Sequence, residues 1–231
     1  MVFMKEMLFL TFFLLTSLAL FSEESIPNDF LPLYSMKKTY LGLFSRKQKF
    51  FGFREEFPSF SELSQFPNLI SLEISSPELR TLDGLELLKN LDYLNLSNSG
   101  LITIRGIKKS KKLKFLYLRK TNIQTLDGIC SLQELLYLDI SETGVKNIED
   151  ISCLKNLRRV YAQNLVFHTL DAFRSFENLN ELYLHNTPVN DFSGVKKLKN
   201  LIYLEVSGTK ITEAVMNDLK KENPYLKIIH N

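Results

Sequence analysis

At 231 residues with 45% apolar content, the chain suits one packed domain behind a leader rather than two globular domains. The net charge of +3 is too mild to imply a nucleic-acid partner, and loss of Lys5 and Glu6 with a leader would leave it unchanged. Two cysteines do not make a disulfide framework.

Residues 1–22 read as a secretory signal. Lys5 gives a thin positive start, and Met7–Leu20 is an apolar run of about 14 residues interrupted only by Thr11, Thr16 and Ser17. Ser17-Leu18-Ala19 and Leu20-Phe21-Ser22 are candidate cleavage sites, which puts the mature start near residues 20–23. The run is shorter than the roughly 20 residues a spanning helix needs; an uncleaved anchor is the alternative. No cysteine follows it, which argues against a lipid-modified protein. Residues 23–68 read as an N-terminal flank and cap. They begin polar, with Pro27 and Pro32, and continue into two short strands, TYLGLFS and KFFGF, around Arg46-Lys47-Gln48. Phe57, Phe60, Leu63 and Phe66 then make 47–68 a degenerate coil ahead of the first repeat, whose role is to cover the open end of a parallel sheet.

From residue 69 to 211 one pattern is written seven times. Leu69, Leu91, Leu113, Leu135, Leu157, Leu179 and Leu201 follow at intervals of 22 residues. Three positions on stand Leu72, Leu94, Leu116, Leu138, Val160, Leu182 and Leu204, and two further on Ile74, Leu96, Leu118, Ile140, Ala162, Leu184 and Val206. The L-x-x-L-x-L segment alternates at period two, so Leu94 and Leu96 face one way while Tyr93, Asn95 and Ser97 face the other. Later apolar positions such as Leu101, Ile104 and Ile107 bring the chain back to the same interior. A lone coil cannot cover that interior; stacked coils share one core and one parallel sheet. Asp83-Gly84, Arg105-Gly106 and Asp127-Gly128 recur at one point of the coil, where turn chemistry explains them better than calcium binding.

Strings such as KNLDYLNLSNSGLITIRGI and KNLIYLEVSGTKIT resemble the 22-residue class of leucine-rich repeat, found in bacterial internalins and in a regulatory subunit of protein phosphatases. The resemblance covers about two thirds of the chain. It implies an α/β solenoid: a curved parallel β-sheet on the concave face, short 3-10, helical or extended return legs, and a cap at each end. It also implies a bacterial protein that meets host receptors. The sequence departs from the family in preferring Thr121, Thr143, Thr187 and Thr209 where many members bury an asparagine, and in an irregular fifth coil with Ala162, Leu165 and Val166. The wall-sorting tail that many internalins carry is not in this sequence, so the resemblance places the protein as secreted or periplasmic.

Residues 212–231 read as a C-terminal helical cap. Thr212 is a candidate N-cap, Val215, Met216 and Leu219 form an apolar stripe, Lys220 and Lys221 suit the last turn and Pro224 ends it; YLKII makes a final half-coil. Cys130 and Cys153 fall on adjacent coils. Strand-like spacing would put their Cα atoms about 6 Å apart, within disulfide range, whereas wider return legs would leave two free thiols.

No catalytic motif occurs, and His168, His185 and His230 lie in different coils or caps, so no enzyme activity, metal or cofactor is expected. Asp139 and Glu181 both point out of the sheet with backbones about 12 Å apart, beyond the roughly 5–9.5 Å between glycosidase carboxyl groups. The basic run Lys108, Lys109, Lys111, Lys112 and Lys114 could meet an anionic lipid or glycan, although a solvated flank explains it as well; Lys196, Lys197 and Lys199 lie too far off to extend it. The outward sheet positions are richer. Coils two to seven place Tyr93, Phe115, Tyr117, Tyr137, Tyr161, Tyr183 and Tyr203 there, interleaved with Arg119, Asp139, Arg159, Glu181 and His185. With Glu73, Glu205 and the flanking Asp92, Lys114, Lys120, Glu142 and Arg158, the face totals five basic and six acidic residues, a balance that suits a protein surface and not a nucleic acid. Tyrosine and arginine dominate interface hot spots. The expected function is a non-catalytic module, monomeric rather than an obligate oligomer, that binds a protein partner on this face. Glycan or envelope-lipid binding through the lysine flank is the alternative.

Overall fold

The computed structural model describes residues 35–36, 49–54, 57 and 59–230. The leader and the TYLGLFS strand fall outside the described residues. Ten strands form one sheet in chain order: β1 (Ser35–Met36), β2 (Phe50–Arg54), β3 (Ser71–Ser75), β4 (Tyr93–Asn95), β5 (Phe115–Tyr117), β6 (Tyr137–Asp139), β7 (Arg159–Tyr161), β8 (Glu181–Tyr183), β9 (Tyr203–Glu205) and β10 (Lys227–Ile229). Neighbouring strands are parallel throughout, in a curved, unclosed sheet. The 22-residue interval becomes a register without slip: Leu94, Leu116, Leu138, Val160, Leu182 and Leu204 face one another in turn.

These residues are fully buried, as are Leu96, Leu118, Ile140, Ala162 and Leu184 one step along. Each return leg adds a second layer. It passes through a 3-10 turn such as Leu85–Leu87, Arg105–Lys109 or Ile129–Ser131, which buries Leu85, Ile107 or Ile129. Burying one such side chain contributes about 1.5–3 kcal/mol, and the contribution repeats along the stack. Gly84 and Gly128 open two of these turns with φ of 90° and 96°, a conformation that a Cβ disfavours. In the irregular fifth coil, small Ala162 is accompanied by buried Phe167, Phe173 and Phe176, so the coil keeps its volume with a different set of side chains.

Two local devices turn the chain after each strand. Asn98, Lys120, Glu142, Asn164, Asn186 and Gly208 occupy one point in six consecutive coils, and all have positive φ, between 54° and 71°. Their amides still reach across to the next coil, as Asn98 does to the Arg119 carbonyl at 2.9 Å and Lys120 to Ser141 at 3.1 Å. One residue later come the threonines. Thr121, Thr143, Thr187 and Thr209 each donate a hydroxyl hydrogen bond of 2.7 Å to the carbonyl three residues back. A β-branched hydroxyl therefore satisfies its own strand end, and a longer asparagine is not needed there. On the other margin Asn90, Asn156, Asn178, Asn200 and Asn223 each donate to a carbonyl of the preceding coil.

The caps extend the same logic. KFFGF forms β2, which runs parallel to both β1 and β3. The reason is register. Phe51 and Phe53 lie opposite Leu72 and Ile74 and are buried to 3% and 1% exposure, so the segment continues the stack rather than folding back. At the other end the helix Glu213–Glu222 is capped by the Thr212 hydroxyl, which accepts from the Val215 amide, and buries Met216 and Leu219. Beyond it β10 adds to β9. Cys130 and Cys153 are bonded on the return-leg side, with Cα atoms 5.6 Å apart, joining the third and fourth coils.

Candidate partner-binding face

Alternation along each strand delivers every candidate side chain to one side of the sheet. Tyr93, Phe115, Tyr137, Arg159, Glu181 and Tyr203 form one in-register column. Tyr117, Asp139, Tyr161 and Tyr183 belong to a second column, which Asn95 and Glu205 complete. Arg119 and His185 follow directly after β5 and β8. All twelve candidates are half-buried except Arg119, which is exposed.

The rings pack on one another across the strands. Phe115 stacks on Tyr137 at 4.8 Å and Tyr161 on Tyr183 at 4.4 Å, with tilted contacts from Tyr93 to Tyr117 at 5.5 Å and from Tyr183 to Tyr203 at 5.1 Å. Cross-strand aromatic pairs contribute roughly 0.2–1 kcal/mol each. The face is therefore partly pre-organised by its own stacking, and a partner meets ring edges and hydroxyls more than open ring faces.

Charged groups stitch the rings together. The Arg159 guanidinium lies 5.1 Å from the Tyr137 centroid and bonds Glu181, which also accepts from the Tyr183 hydroxyl at 2.8 Å. Arg119 donates to Glu142 at 2.6 and 2.9 Å. Tyr93 donates to Glu73 at 3.0 Å, and Glu205 accepts from Gln163 at 3.2 Å with His185 3.6 Å away. Burial is the main cause that raises the phenols of Tyr93, Tyr117, Tyr161 and Tyr183, with Tyr117 pushed up to about 12. Burial also lifts the Asp139 carboxyl, against hydrogen bonds from Ser141 that favour its ionised form.

The lysine flank lies elsewhere. Lys108 and Lys109 end a 3-10 turn, Lys111 and Lys112 follow it, and all are exposed. Lys112 and Lys114 line an open cleft with Lys49, Asn68 and Asn90, but Asp92 and Glu134 line the same cleft and offset its charge. Among the described residues no group of three or more His, Cys, Asp or Glu side chains is arranged to hold a metal ion. No described helix is long and apolar enough to cross a membrane.

The sequence matches no family profile and no curated protein. Solved structures do match. An internalin C2 from Listeria monocytogenes superposes with a TM-score of 0.68 at 22% identity, over 74% of this chain and 74% of its own. A second internalin (inlF) from the same organism gives 0.70 at 20% identity, over 83% of this chain and 56% of its own. A leucine-rich-repeat protein of Leptospira interrogans gives 0.65 at 22% identity, over 84% and 57%. The fold is a leucine-rich-repeat solenoid. This chain thus spans little more than half the length of the second and third relatives.

Within the leucine-rich-repeat solenoid, three residues beyond the twelve candidates contribute to the face. Gln163 ties Glu205 from the neighbouring margin, and Asn95 takes a ring position while accepting the Ser97 amide at 3.0 Å. Lys227 on β10 lies 5.7 Å from the Tyr203 centroid. YLKII did signal a last strand, but the pattern gives no means of assigning its lysine to a ring one coil away.

Proposed function

We propose that the protein is an exported, non-catalytic module that captures a protein partner on the sheet face. The observation that carries the reading is the unbroken run of aromatic side chains from β4 to β9 with both signs of charge between them. Large half-buried rings with polar tips offer contact area at little entropic cost, and arginines beside them add directional bonds. A surface kept only for scaffolding has no need of so many rings open to a groove. The Cys130–Cys153 bond supports export, since structural disulfides belong to oxidising compartments. The internalin likeness adds a bacterial origin and a host receptor as the partner class.

Capture from host-cell extract tests the reading with two variants beside wild type. Tyr117→Ala combined with Tyr137→Ala should abolish capture, with only a modest salt dependence in wild type. Lys108→Gln, Lys111→Gln and Lys112→Gln together should leave capture intact. The reverse outcome, with a steep loss on adding salt, would favour a glycan or lipid bound through the lysine flank.

A further inference from the structure

The asparagine that ties one coil to the coil before it is given up in two successive coils. Asn90, Asn156, Asn178 and Asn200 share that point of the repeat, and each donates to a carbonyl of the preceding coil. Lys112 and Glu134 stand there instead. The Glu134 carboxylate has no hydrogen to donate, and the Lys112 ammonium turns to Asn90 Oδ1 at 2.9 Å. A repeat that drops a bond it makes in other coils marks a place where something besides the fold sets the residue.

The same coils border a cleft of about 480 Å³ at the margin of the sheet, within the roughly 300–1,000 Å³ of small-ligand sites. Lys112 and Lys114, which flank the buried Leu113 in the chain, both line it. Asp92 lines it from the coil before and Glu134 from the coil after, and Lys49 adds a third lysine.

Unlike charges one coil apart close up in other parts of this protein. Arg105 meets Asp127 at 3.1 Å, and Arg159 bonds Glu181, each across 22 residues. Lys114 and Asp92 have the same separation, and their backbones touch, the Lys114 amide donating to the Asp92 carbonyl at 2.8 Å. Lys112 and Glu134 repeat the arrangement with the signs reversed. Among the described residues neither couple comes within 4.0 Å, and Lys49 has no acid at that distance. Burial raises the carboxyl of the half-buried Asp92, and Lys114, acting across the intervening space, lowers it less.

Unlike charges held apart across a cleft suit a ligand that carries both signs. Such a ligand replaces one long attraction by two contacts, whereas a plain anion on the lysines is repelled by Asp92 and Glu134. Three lysines against two carboxylates leave one positive charge over, which a ligand with two negative charges and one positive answers.

We propose that this cleft binds a small anionic zwitterion, its negative groups on Lys112 and Lys114 and its ammonium on Asp92. An aminoalkyl phosphate and an acidic amino acid share that chemistry. The site lies on the margin before β4 and β5, and it does not depend on a protein docking against the rings.

The test uses the full chain at low salt with O-phosphoethanolamine and L-glutamate as probes. Inorganic phosphate and ethanolamine, each with one sign of charge, are the controls. The backbone amide signals of Asp92 and Lys114 are followed by NMR, assigned through Asp92→Asn and Lys114→Gln. At least one zwitterion should shift both signals with a dissociation constant of about 1–10 mM, and each control should bind about tenfold more weakly. The tighter of the two probes tells a phosphate ligand from a dicarboxylate. Asp92→Asn should erase the preference for the zwitterion over phosphate, and Lys114→Gln should weaken the zwitterion about tenfold, both with melting temperature intact. Phosphate binding as tightly as either zwitterion, or no shift at about 100 mM probe, overturns the proposal. An Asp92→Asn variant that folds and keeps the preference overturns it as well.

Discussion

Lys120 occupies a conformation that suits a lysine poorly, and exchanging it should stabilise the protein. Its φ is 55°, at the point where other coils carry Asn98, Asn164, Asn186 and Gly208. A left-handed conformation costs an ordinary residue about 1–2 kcal/mol, whereas glycine loses about 0.5–1 kcal/mol of extra chain entropy on folding. The difference makes Lys120→Gly more stable by about 0.5–1 kcal/mol. Loss of the 3.5 Å pair with Glu142 subtracts little, because the lysine is half exposed and Glu142 keeps Arg119. Lys120→Asn, which copies the neighbours, should gain less, and Lys120→Ala should gain nothing from the backbone. Lys111→Gly is the control: this exposed lysine is outside the positive-φ set, so glycine there should cost about 0.5–1 kcal/mol. Urea midpoints at constant slope give the differences. Equal losses for Lys120→Gly and Lys111→Gly would refute the argument.

Three further outcomes follow from other parts of the structure. Replacing Cys130 and Cys153 together by serine opens a link across a separation of 23 residues, worth about 3 kcal/mol in the chain-entropy account, and should lower the urea midpoint accordingly; thiol titration of unfolded, unreduced wild type should find no free thiol. Raised phenols make the folded state resist deprotonation, so their contribution is intact below the ordinary phenol value of 10.0 and is lost as pH rises toward about 12, the Tyr117 value. Melting temperature should fall steeply across that window, and a flat profile would mean the rings are more exposed than they look. Deleting 212–231 removes the helix and β10 and bares β9 and the last buried layer, which should give aggregation; a soluble monomeric truncation would mean that the stack ends elsewhere.

The legible and illegible parts of the protein divide along a physical line. Burial with a fixed period was open to reading, because each inward leucine must meet its equivalent one coil on; the in-register columns from β4 to β9 follow from that alone. The outward residues were legible for the same reason, since alternation fixes their side. Their contacts were not. That Arg159 lies against Tyr137 and bonds Glu181 depends on rotamers which a spacing rule does not address. The left-handed column escaped notice because Lys120 and Glu142 hide the asparagine signal of Asn98, Asn164 and Asn186. At β2 the sequence marks a strand without giving its direction, and the burial of Phe51 and Phe53 beside Leu72 and Ile74 selects a parallel one. The disulfide stood open in the sequence because coil spacing on the return-leg side is not set by the strand spacing; there the Cα atoms are 5.6 Å apart.

The central claim, that a partner docks against the rings of the sheet face, is tested most directly by site-specific photocrosslinking. A photoreactive phenylalanine analogue is placed at position 115 or 137 on the face, or at Gln133 on the exposed return side, and each protein is irradiated in the extract that holds the partner. The account predicts one shared cross-linked species from positions 115 and 137 and none from 133. A cross-link from 133 with none from 115 or 137 would contradict it.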